Sequence, residues 1–469
     1  MRIRVLGQHV PLSIAVLALI EAAIAFVALY AAVAIRLETP IRHLPLLEHK
    51  LGPLWPRGLV FAAIVVTSLL AFGLYSGRQR AQLPGVFLRL GAALVVASAV
   101  LAAIEYMLPS LSLWRGVSAL AVLLTGLGVL ISRLVFVRVV DQNILKRRVL
   151  VYGAGTSARA IANLRRSTDR RAFVLAGYVQ PPGEEASVPA ERLLDLSGGD
   201  LCGLCDRLGV TEVVVAMDDR RRGFPIRDLL ECRLAGVDVT ELLTFLERET
   251  GRVRLDVLNP SWMIFGQGFR RDPLRLFSSR TLDLLASVGV LALSAPFMML
   301  TVVAIKLEDG WRAPTLYSQR RVGLAGRTFN VIKFRSMRQD AELNGAQWAR
   351  HSDPRITRVG AVIRKLRIDE LPQIFNVLRG HMSFVGPRPE RPEFVEELAE
   401  KIPYYVQRHS VKPGITGWAQ LCYPYGSSEQ DALEKLQYDL YYIKNNNLLF
   451  DLAILVQTAE VVLLGKGAR

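Results

Sequence analysis

The feature that most constrains the fold is a series of four long apolar segments near the start of the chain. They lie at about 10–35, 59–75, 86–108 and 117–137. Each is close to the ~20 residues that an α-helix needs to cross a lipid bilayer. The hydrophobic fraction of 51% is also higher than a water-soluble protein needs. The sequence therefore predicts a four-helix transmembrane bundle over residues 1–141.

Basic residues indicate how these segments are oriented. Arginine and lysine precede the first segment, separate the second from the third and follow the fourth: Arg2, Arg4, Arg78, Arg80, Lys146, Arg147 and Arg148. Loops rich in arginine and lysine remain in the cytoplasm. The amino terminus and the chain after the fourth segment are therefore expected on the cytoplasmic side.

The net charge of +16 is large for a membrane protein. Nucleic acid, anionic lipid head groups or a phosphate-rich substrate could each account for it. Binding of nucleic acid would require aromatic platforms or a helix that reads a groove, and neither stands out. With long apolar segments in the same chain, lipid and a phosphorylated substrate are the favoured partners.

A Rossmann-like α/β domain is predicted over residues 146–268, where short apolar strands alternate with helices. Its first strand leads into Gly153-Ala-Gly155, a turn whose backbone N–H groups could face a phosphate. After the second strand, however, Gln180 and Pro181 stand where a ribose-binding acid belongs, and the chain has no Tyr-x-x-x-Lys pair. A bound nucleotide and a regulatory or assembly module both remain open.

A fifth apolar segment, at about 284–305, contains Pro296 near its middle. Basic residues flank it on both sides, which a helix that spans the bilayer cannot reconcile with the orientation rule. Because proline removes a backbone hydrogen bond and bends a helix, we expect a re-entrant helix that enters the cytoplasmic leaflet and turns back. The alternative is a fifth span that tolerates the proline.

Two adjacent acids, Asp369 and Glu370, lie in a region dense in arginine. Arginine binds phosphate oxygens through two parallel hydrogen bonds, so several arginines can neutralise a pyrophosphate. A carboxylate among cations stays ionised and can act as a nucleophile or a metal ligand. The alternative is that the two acids cap a helix beginning at Leu371.

The chain from about Arg280 onward resembles the bacterial sugar transferases, the polyprenyl-phosphate phosphoglycosyl transferases of the large monotopic type. It is similar to the undecaprenyl-phosphate glucose phosphotransferases among them. The resemblance implies an α+β catalytic domain over residues 276–469 that includes the re-entrant helix. The motifs that carry it are Gln319-Arg-Arg-Val-Gly323, Lys333-Phe-Arg-Ser-Met337, Arg364 with Asp369-Glu-Leu-Pro372, Gly386-Pro-Arg-Pro389 and Pro413-Gly-Ile-Thr-Gly-Trp-Ala-Gln420.

The resemblance also implies a reaction in two steps. Asp369 matches the nucleophile that attacks the β-phosphate of a UDP-sugar and releases UMP, after which polyprenyl phosphate takes the phosphosugar. Glu370 matches the second acid, which assists proton transfer or metal binding, and Mg²⁺ is expected on Asp369. Five basic residues match phosphate or uridine contacts of the family: Lys333, Arg335, Arg364, Arg388 and Arg408.

The family's re-entrant helix bends at a Ser-Pro pair, where this chain has Ala295 and Pro296. The bend is expected to persist without the serine hydroxyl.

The expected location is the bacterial inner membrane, with the catalytic domain in the cytoplasm, and the spans and the α/β domain offer surfaces for a homodimer. Two other functions remain as alternatives: a membrane-anchored nucleotide-sugar dehydratase or epimerase, and a regulator of polysaccharide assembly without catalysis.

Overall fold

A computed structural model describes residues 2–5, 8–38, 53–75, 83–107, 114–140, 146–164, 173–196, 200–221, 223–258, 273–338, 354–424, 426 and 428–463. The chain forms two compact units, one from Met1 to Phe245 and the other from Leu246 to Arg469. The predicted domain ends at residues 141, 268 and 469 lie outside the described residues.

The first unit begins with a short antiparallel hairpin and four long apolar helices. The hairpin strands are β1 (Arg2–Val5) and β2 (Gln8–Pro11), and the helices are α1 (Leu12–Arg36), α2 (Leu54–Ala71), α3 (Leu83–Met107) and α4 (Arg115–Val140). All four helices are long and apolar enough to cross a bilayer. Leu29, Phe61, Ala97 and Ala121, one from each helix, are buried in a single apolar cluster.

A buried ion pair interrupts this apolar cluster. Glu21 of α1 has no exposed surface, and Arg133 of α4 places its Nε 2.8 Å from Glu21 Oε1. The Tyr75 hydroxyl donates to Glu21 Oε2 at 2.5 Å. An ionisable group inside an apolar bundle is costly unless it is paired, so this contact joins α1 to α4.

The α/β part of the first unit is a five-stranded parallel sheet. Its strands are β3 (Arg147–Tyr152), β4 (Phe173–Val179), β5 (Leu193–Leu194), β6 (Glu212–Val215) and β7 (Asp238–Glu241), in the order β5-β4-β3-β6-β7. Its helices are α5 (Thr156–Ala162), α6 (Leu201–Leu208), α7 (Ile226–Leu234) and the start of α8 (Leu242–Thr250), which continues into the second unit. The order places β3 centrally with crossovers to both sides, which confirms a separate α/β region of doubly wound type.

The second unit contains a long helix, an antiparallel hairpin and a cluster of shorter elements. In chain order they are α9 (Pro273–Asp309), β8 (Leu316–Val322), β9 (Thr328–Phe334), α10 (Arg358–Lys365), α11 (Gln373–Leu378), β10 (Ser383–Val385), α12 (Pro392–Lys401), β11 (Gly414–Thr416), α13 (Trp418–Cys422), α14 (Glu429–Asn445) and α15 (Leu448–Leu463). Strands β8 and β9 pair along their full length as a hairpin, and β10 pairs with β11 in parallel.

Helix α9 continues without interruption through Pro296. Near its start, Arg280 donates to the carbonyls of Val377 and Leu378 at 2.6 and 2.7 Å. Near its end, Glu308 accepts from the backbone N–H of Arg358 at 2.7 Å. Both ends of the helix are therefore fastened to the same compact unit.

The two faces of α9 differ in polarity and exposure. The inner face buries Asp283, Ser287, Ser294, Thr301 and Ile305. The missing serine of the Ser-Pro pair corresponds to Ala295, and Ser294 is the residue just before it. The Ser294 Oγ lies 3.6 Å from Met298 Sδ. The outer face exposes large apolar side chains: Leu285, Val288, Leu293, Phe297, Leu300 and Leu307. An outward face of this composition fits a lipid environment.

Candidate active site

The two predicted acids lie in one turn of 3₁₀ helix, Ile368–Glu370, between α10 and α11. The chain enters this turn through Arg367, whose backbone is left-handed with φ of 58°. Helix α11 starts at Gln373 rather than at Leu371, and neither acid caps it in the described structure. The dyad is therefore presented by a turn, which leaves both carboxylates available for other partners.

Glu370 is held by two cations. Its Oε1 accepts from Lys333 Nζ at 3.0 Å and from Arg388 Nη2 at 2.9 Å. Arg367 Nη1 lies 4.0 Å from the other carboxylate oxygen. Burial opposes ionisation of Glu370, but these three charges outweigh it and hold its pKa well below the usual range. Glu370 is thus an ionised carboxylate that fixes the cations around it.

Asp369 is in the opposite situation. Its Oδ1 is buried and accepts no hydrogen bond from any residue that the structure describes. Burial and the charge of Glu370 raise the pKa of Asp369, whereas Lys333, Arg364 and Arg367 act against that rise. An unpaired buried oxygen loses its hydration without compensation, so this atom is suited to an incoming electrophile or cation.

Asn376 on α11 joins strand β9 of the hairpin to the helix that follows the dyad. Its Nδ2 donates to the Asn330 carbonyl at 2.7 Å, and its Oδ1 accepts from the Ile332 N–H at 3.0 Å. Only 1% of Asn376 is exposed. Because Lys333 follows Ile332 directly, this amide sets the position of the Lys333 ammonium relative to Glu370.

The other predicted basic residues divide into two groups. Arg364 lies in the last turn of α10 and acts on Asp369 through its charge. Arg335 is 6% exposed and forms an ion pair with Asp309 at the end of α9. Arg408 is also 6% exposed, and its Nη2 lies 2.9 Å from Asp439 Oδ2. Lys333, Arg364 and Arg388 therefore surround the dyad, whereas Arg335 and Arg408 form ion pairs with acids outside it.

Three contributors to the site were missed from the sequence: Arg367, Asn376 and Asp439. Arg367 stands two residues before the dyad, which was a usable signal. Asn376 and Asp439 are polar residues on buried faces of α11 and α14. A polar residue inside an apolar run often has a buried hydrogen-bond partner, but its identity depends on the tertiary fold.

The Asp369 oxygen also fits the expected Mg²⁺. A hard divalent cation prefers oxygen ligands, and Mg²⁺ commonly uses one or two carboxylates together with substrate phosphates and water. The described residues contain no group of three or more His, Cys, Asp or Glu side chains arranged to hold a metal. Asp369 can therefore supply a protein ligand, and the remaining ligands would come from the substrate and solvent.

The glycine turn of the α/β domain is already filled by carboxylates of that domain. The N–H groups of Thr156 and Ser157 donate to Asp218 at 2.8 and 2.7 Å. The N–H of Gly155 donates to Glu184 at 2.9 Å. These are the donors that would face a nucleotide phosphate, so a phosphate here would have to displace two like-charged groups. This arrangement disfavours the dehydratase or epimerase alternative.

Comparison with known proteins matches most of the second unit to one protein family. A family model described as bacterial sugar transferase matches residues 274–465. A UDP-glucose:undecaprenyl-phosphate glucose-1-phosphate transferase of Caulobacter vibrioides is 39% identical over 186 residues, which are 39% of this chain and 69% of the relative. The dyad and its cations lie inside the matched residues.

Two longer relatives extend the comparison. A UDP-N-acetylgalactosamine-undecaprenyl-phosphate N-acetylgalactosaminephosphotransferase of Aeromonas hydrophila is 45% identical over 252 residues, 54% of this chain. An undecaprenyl-phosphate glucose phosphotransferase of Komagataeibacter xylinus is 34% identical over 332 residues, 69% of this chain. The chain spans 58% and 60% of the lengths of these two relatives.

Proposed function

Since the chain belongs to the bacterial sugar transferase family, we propose that it transfers a sugar 1-phosphate from a UDP-sugar to polyprenyl (undecaprenyl) phosphate. This would be the first membrane step of exopolysaccharide, capsule or O-antigen synthesis. The observation that carries the proposal is the asymmetry of the dyad. Glu370 is paired with Lys333 and Arg388, while the buried Oδ1 of its neighbour Asp369 has no hydrogen-bond partner in the part of the chain that the structure describes.

In the first step Asp369 is the nucleophile. A carboxylate oxygen attacks the β-phosphorus of the UDP-sugar, the bond from that phosphorus to the bridging oxygen breaks, and UMP leaves with the bridging oxygen. The product is an aspartyl phosphosugar. No proton has to move when Asp369 attacks as the carboxylate, because the leaving group is a phosphate.

In the second step a phosphate oxygen of polyprenyl phosphate attacks the phosphorus held on Asp369. The bond between the Asp369 oxygen and phosphorus breaks, which restores the carboxylate and releases the polyprenyl diphosphate sugar. Covalent catalysis of this kind divides one difficult displacement into two easier ones.

The surrounding cations stabilise the charge that the phosphates bring. Lys333 and Arg388 are fixed by Glu370, and Arg364 lies close enough for its charge to act on Asp369. Preorganised positive charge lowers the barrier of a phosphoryl transfer without reorganisation during the reaction. Glu370 therefore orders these cations and does not serve as a proton donor. Mg²⁺ held by Asp369 would supply further positive charge to neutralise the substrate phosphates.

The contacts of α9 support the proposed membrane location. A helix that crossed the bilayer would place Arg280 and Glu308 on opposite sides, but both contact the same unit. These contacts support a re-entrant α9 that keeps the second unit, the catalytic unit, on one side of the membrane. The basic residues on both flanks of the helix favour the cytoplasmic side of the inner membrane. The site then receives a soluble UDP-sugar from water and polyprenyl phosphate from lipid.

The test is UMP release in nanodiscs from UDP-N-acetylgalactosamine, UDP-glucose and UDP-galactose, with undecaprenyl phosphate and Mg²⁺. Wild type should release UMP with one of these sugars, and Asp369→Asn should not. Asp206→Asn, which changes an exposed acid on α6, is the matched control and should retain full activity. Well-folded wild type that releases no UMP with any sugar would overturn the proposal and favour a regulatory role.

A further inference from the structure

Arg388 reaches the dyad from a backbone segment that is fastened along its length. The N–H of Gly386 donates to the Thr416 carbonyl at 2.9 Å, and the Pro387 carbonyl accepts from Gly414 at 3.0 Å. A Cβ on Gly386 would lie 2.3 Å from the carbonyl oxygen of Lys412, so only glycine fits there. The Arg388 guanidinium, a third exposed, then extends from this rigid base to Glu370.

The backbone carbonyl of Arg388 is also held in place, by a hydrogen bond from a second arginine, Arg408. Arg408 Nη2 donates to the Arg388 carbonyl at 3.0 Å. The same nitrogen lies 2.9 Å from Asp439 Oδ2, and Arg408 Nη1 donates to the Tyr405 hydroxyl at 2.7 Å. Arg408 thus contacts a backbone carbonyl, a carboxylate and a hydroxyl at once through two nitrogens of its planar guanidinium, a geometry that one ammonium does not reproduce.

Neither partner of this ion pair faces solvent. Arg408 is 6% exposed and Asp439 only 2% exposed. Burying two charges is costly, and a pair of this kind is weak support for stability by itself. The position of the ion pair gives a better reason for its presence, because Arg408 contacts the backbone of Arg388, the residue that reaches Glu370.

We propose that Asp439 and Arg408 are positioning residues of the transfer reaction, which act through Arg388 and do not touch the substrate. Asp439 fixes Arg408, and Arg408 fixes the backbone from which Arg388 reaches Glu370. This inference rests on the proposed function and assigns Arg408 a different role from the substrate contact that the family resemblance implies.

The inference predicts a particular pattern of kinetic change. Displacement of a charge that acts in the transition state lowers kcat more than it raises KM. We expect Asp439→Asn to lower kcat about 10- to 100-fold, since a misplacement of about 1 Å can cost that much. KM for the UDP-sugar should change less than about threefold.

A double-mutant cycle separates positioning from general structural damage. UMP release is measured in nanodiscs for wild type, Asp439→Asn, Arg388→Lys and the double variant. If Asp439 acts through Arg388, the double variant should be no slower than Arg388→Lys within about twofold. Asp431→Asn, near the start of the same helix, is the control and should leave kcat unchanged.

A second variant covers the case in which Asp439→Asn does not fold. Arg408→Lys keeps the charge opposite Asp439, but one ammonium cannot reproduce the planar set of contacts to the Arg388 carbonyl, Asp439 and Tyr405. It should show the same loss and the same lack of additivity with Arg388→Lys. The inference would be overturned if the losses in kcat of the two single variants multiplied in the double variant, or if Arg408→Lys kept full activity. Neither result would affect the proposed function, which Asp369→Asn tests separately. A wild type without UMP release overturns the proposed function and this inference with it.

Discussion

Asp369 and Glu370 are adjacent in the chain, yet the structure pairs only Glu370 with cations through hydrogen bonds. Lys333 and Arg388 both donate to Glu370 Oε1, at 3.0 and 2.9 Å, whereas the buried Oδ1 of Asp369 has no hydrogen-bond partner among the described residues. The two carboxylates therefore differ in their surroundings, which is the basis of the proposal that Glu370 organises positive charge and Asp369 carries out the chemistry.

Lys333 is expected to be necessary for activity. Lys333→Met removes one of the two hydrogen bonds to Glu370 and a positive charge beside Asp369. We expect kcat for UMP release to fall about 100-fold, the scale seen when one preorganised charge is removed from an active site. Arg327→Met, which removes an exposed cation between the two hairpin strands, should change kcat less than twofold (about the spread of a neutral surface change). Equal effects of the two variants would contradict a specific role for Lys333.

Asn376 is expected to matter for both stability and rate. Asn376→Ala leaves the Asn330 carbonyl and the Ile332 N–H without their buried partner. Each unsatisfied buried group costs about 1–3 kcal/mol, so the unfolding temperature of the catalytic unit should fall. Because Lys333 follows Ile332, kcat should fall as well.

Asn330→Ala is the matched control for this prediction, since it removes an exposed side chain and keeps the backbone carbonyl. Thermal unfolding followed by tryptophan fluorescence, together with UMP release, compares the two variants. A normal unfolding temperature for Asn376→Ala would show that the amide bridge is dispensable.

His409 predicts a pH-dependent stability. Burial and the charge of Arg408 lower the pKa of His409 to about 4, and only 6% of the residue is exposed. A free histidine titrates near ~6.5, so between these values the unfolded chain binds more protons than the folded one. The stabilisation is complete above about pH 6.5 and is lost as the pH falls towards 4, by up to ~1.4 kcal/mol per pH unit.

His409→Gln should therefore weaken the decline of the unfolding temperature between pH 7 and pH 5. Thermal unfolding of both proteins in the same detergent at several pH values measures this decline. Parallel curves for the two proteins would exclude His409 as its source.

The ion pair between Glu21 and Arg133 predicts a compensating double variant. Glu21→Leu or Arg133→Met alone leaves one charge unpaired inside the apolar helices, at a cost of about 3–5 kcal/mol. The double variant removes both charges and should recover most of the lost unfolding temperature. Detergent-solubilised protein assayed by size-exclusion chromatography after heating would show this recovery. A double variant as unstable as either single one would mean that the pair has another role.

Several parts of the fold could be read from the sequence because the responsible patterns are local. The long apolar segments predict the helices, and alternating apolar runs around Gly153 predict the parallel sheet. The run Gln319-Arg-Arg-Val-Gly323 followed by Gly326 and Arg327 is typical of a hairpin, and the hairpin strands occur at Leu316–Val322 and Thr328–Phe334.

The internal partners of the basic residues could not be read in this way. Arg335 pairs with Asp309, which is 26 positions earlier in the chain. Arg408 pairs with Asp439 on a separate helix. Ion pairs between distant positions depend on how the elements pack, and a charge pattern along the chain does not encode that packing. The same limit explains why the sequence could not tell which acid of the dyad would be unpaired.

The most direct measurement is mass spectrometry of wild-type protein incubated with Mg²⁺ and its UDP-sugar in the absence of polyprenyl phosphate. We expect a sugar phosphate adduct on the peptide that contains Asp369, one UMP released per adduct, and loss of the adduct when polyprenyl phosphate is added. Absence of the adduct from an active enzyme, with UMP formed only when both substrates are present, would contradict Asp369 as a covalent nucleophile.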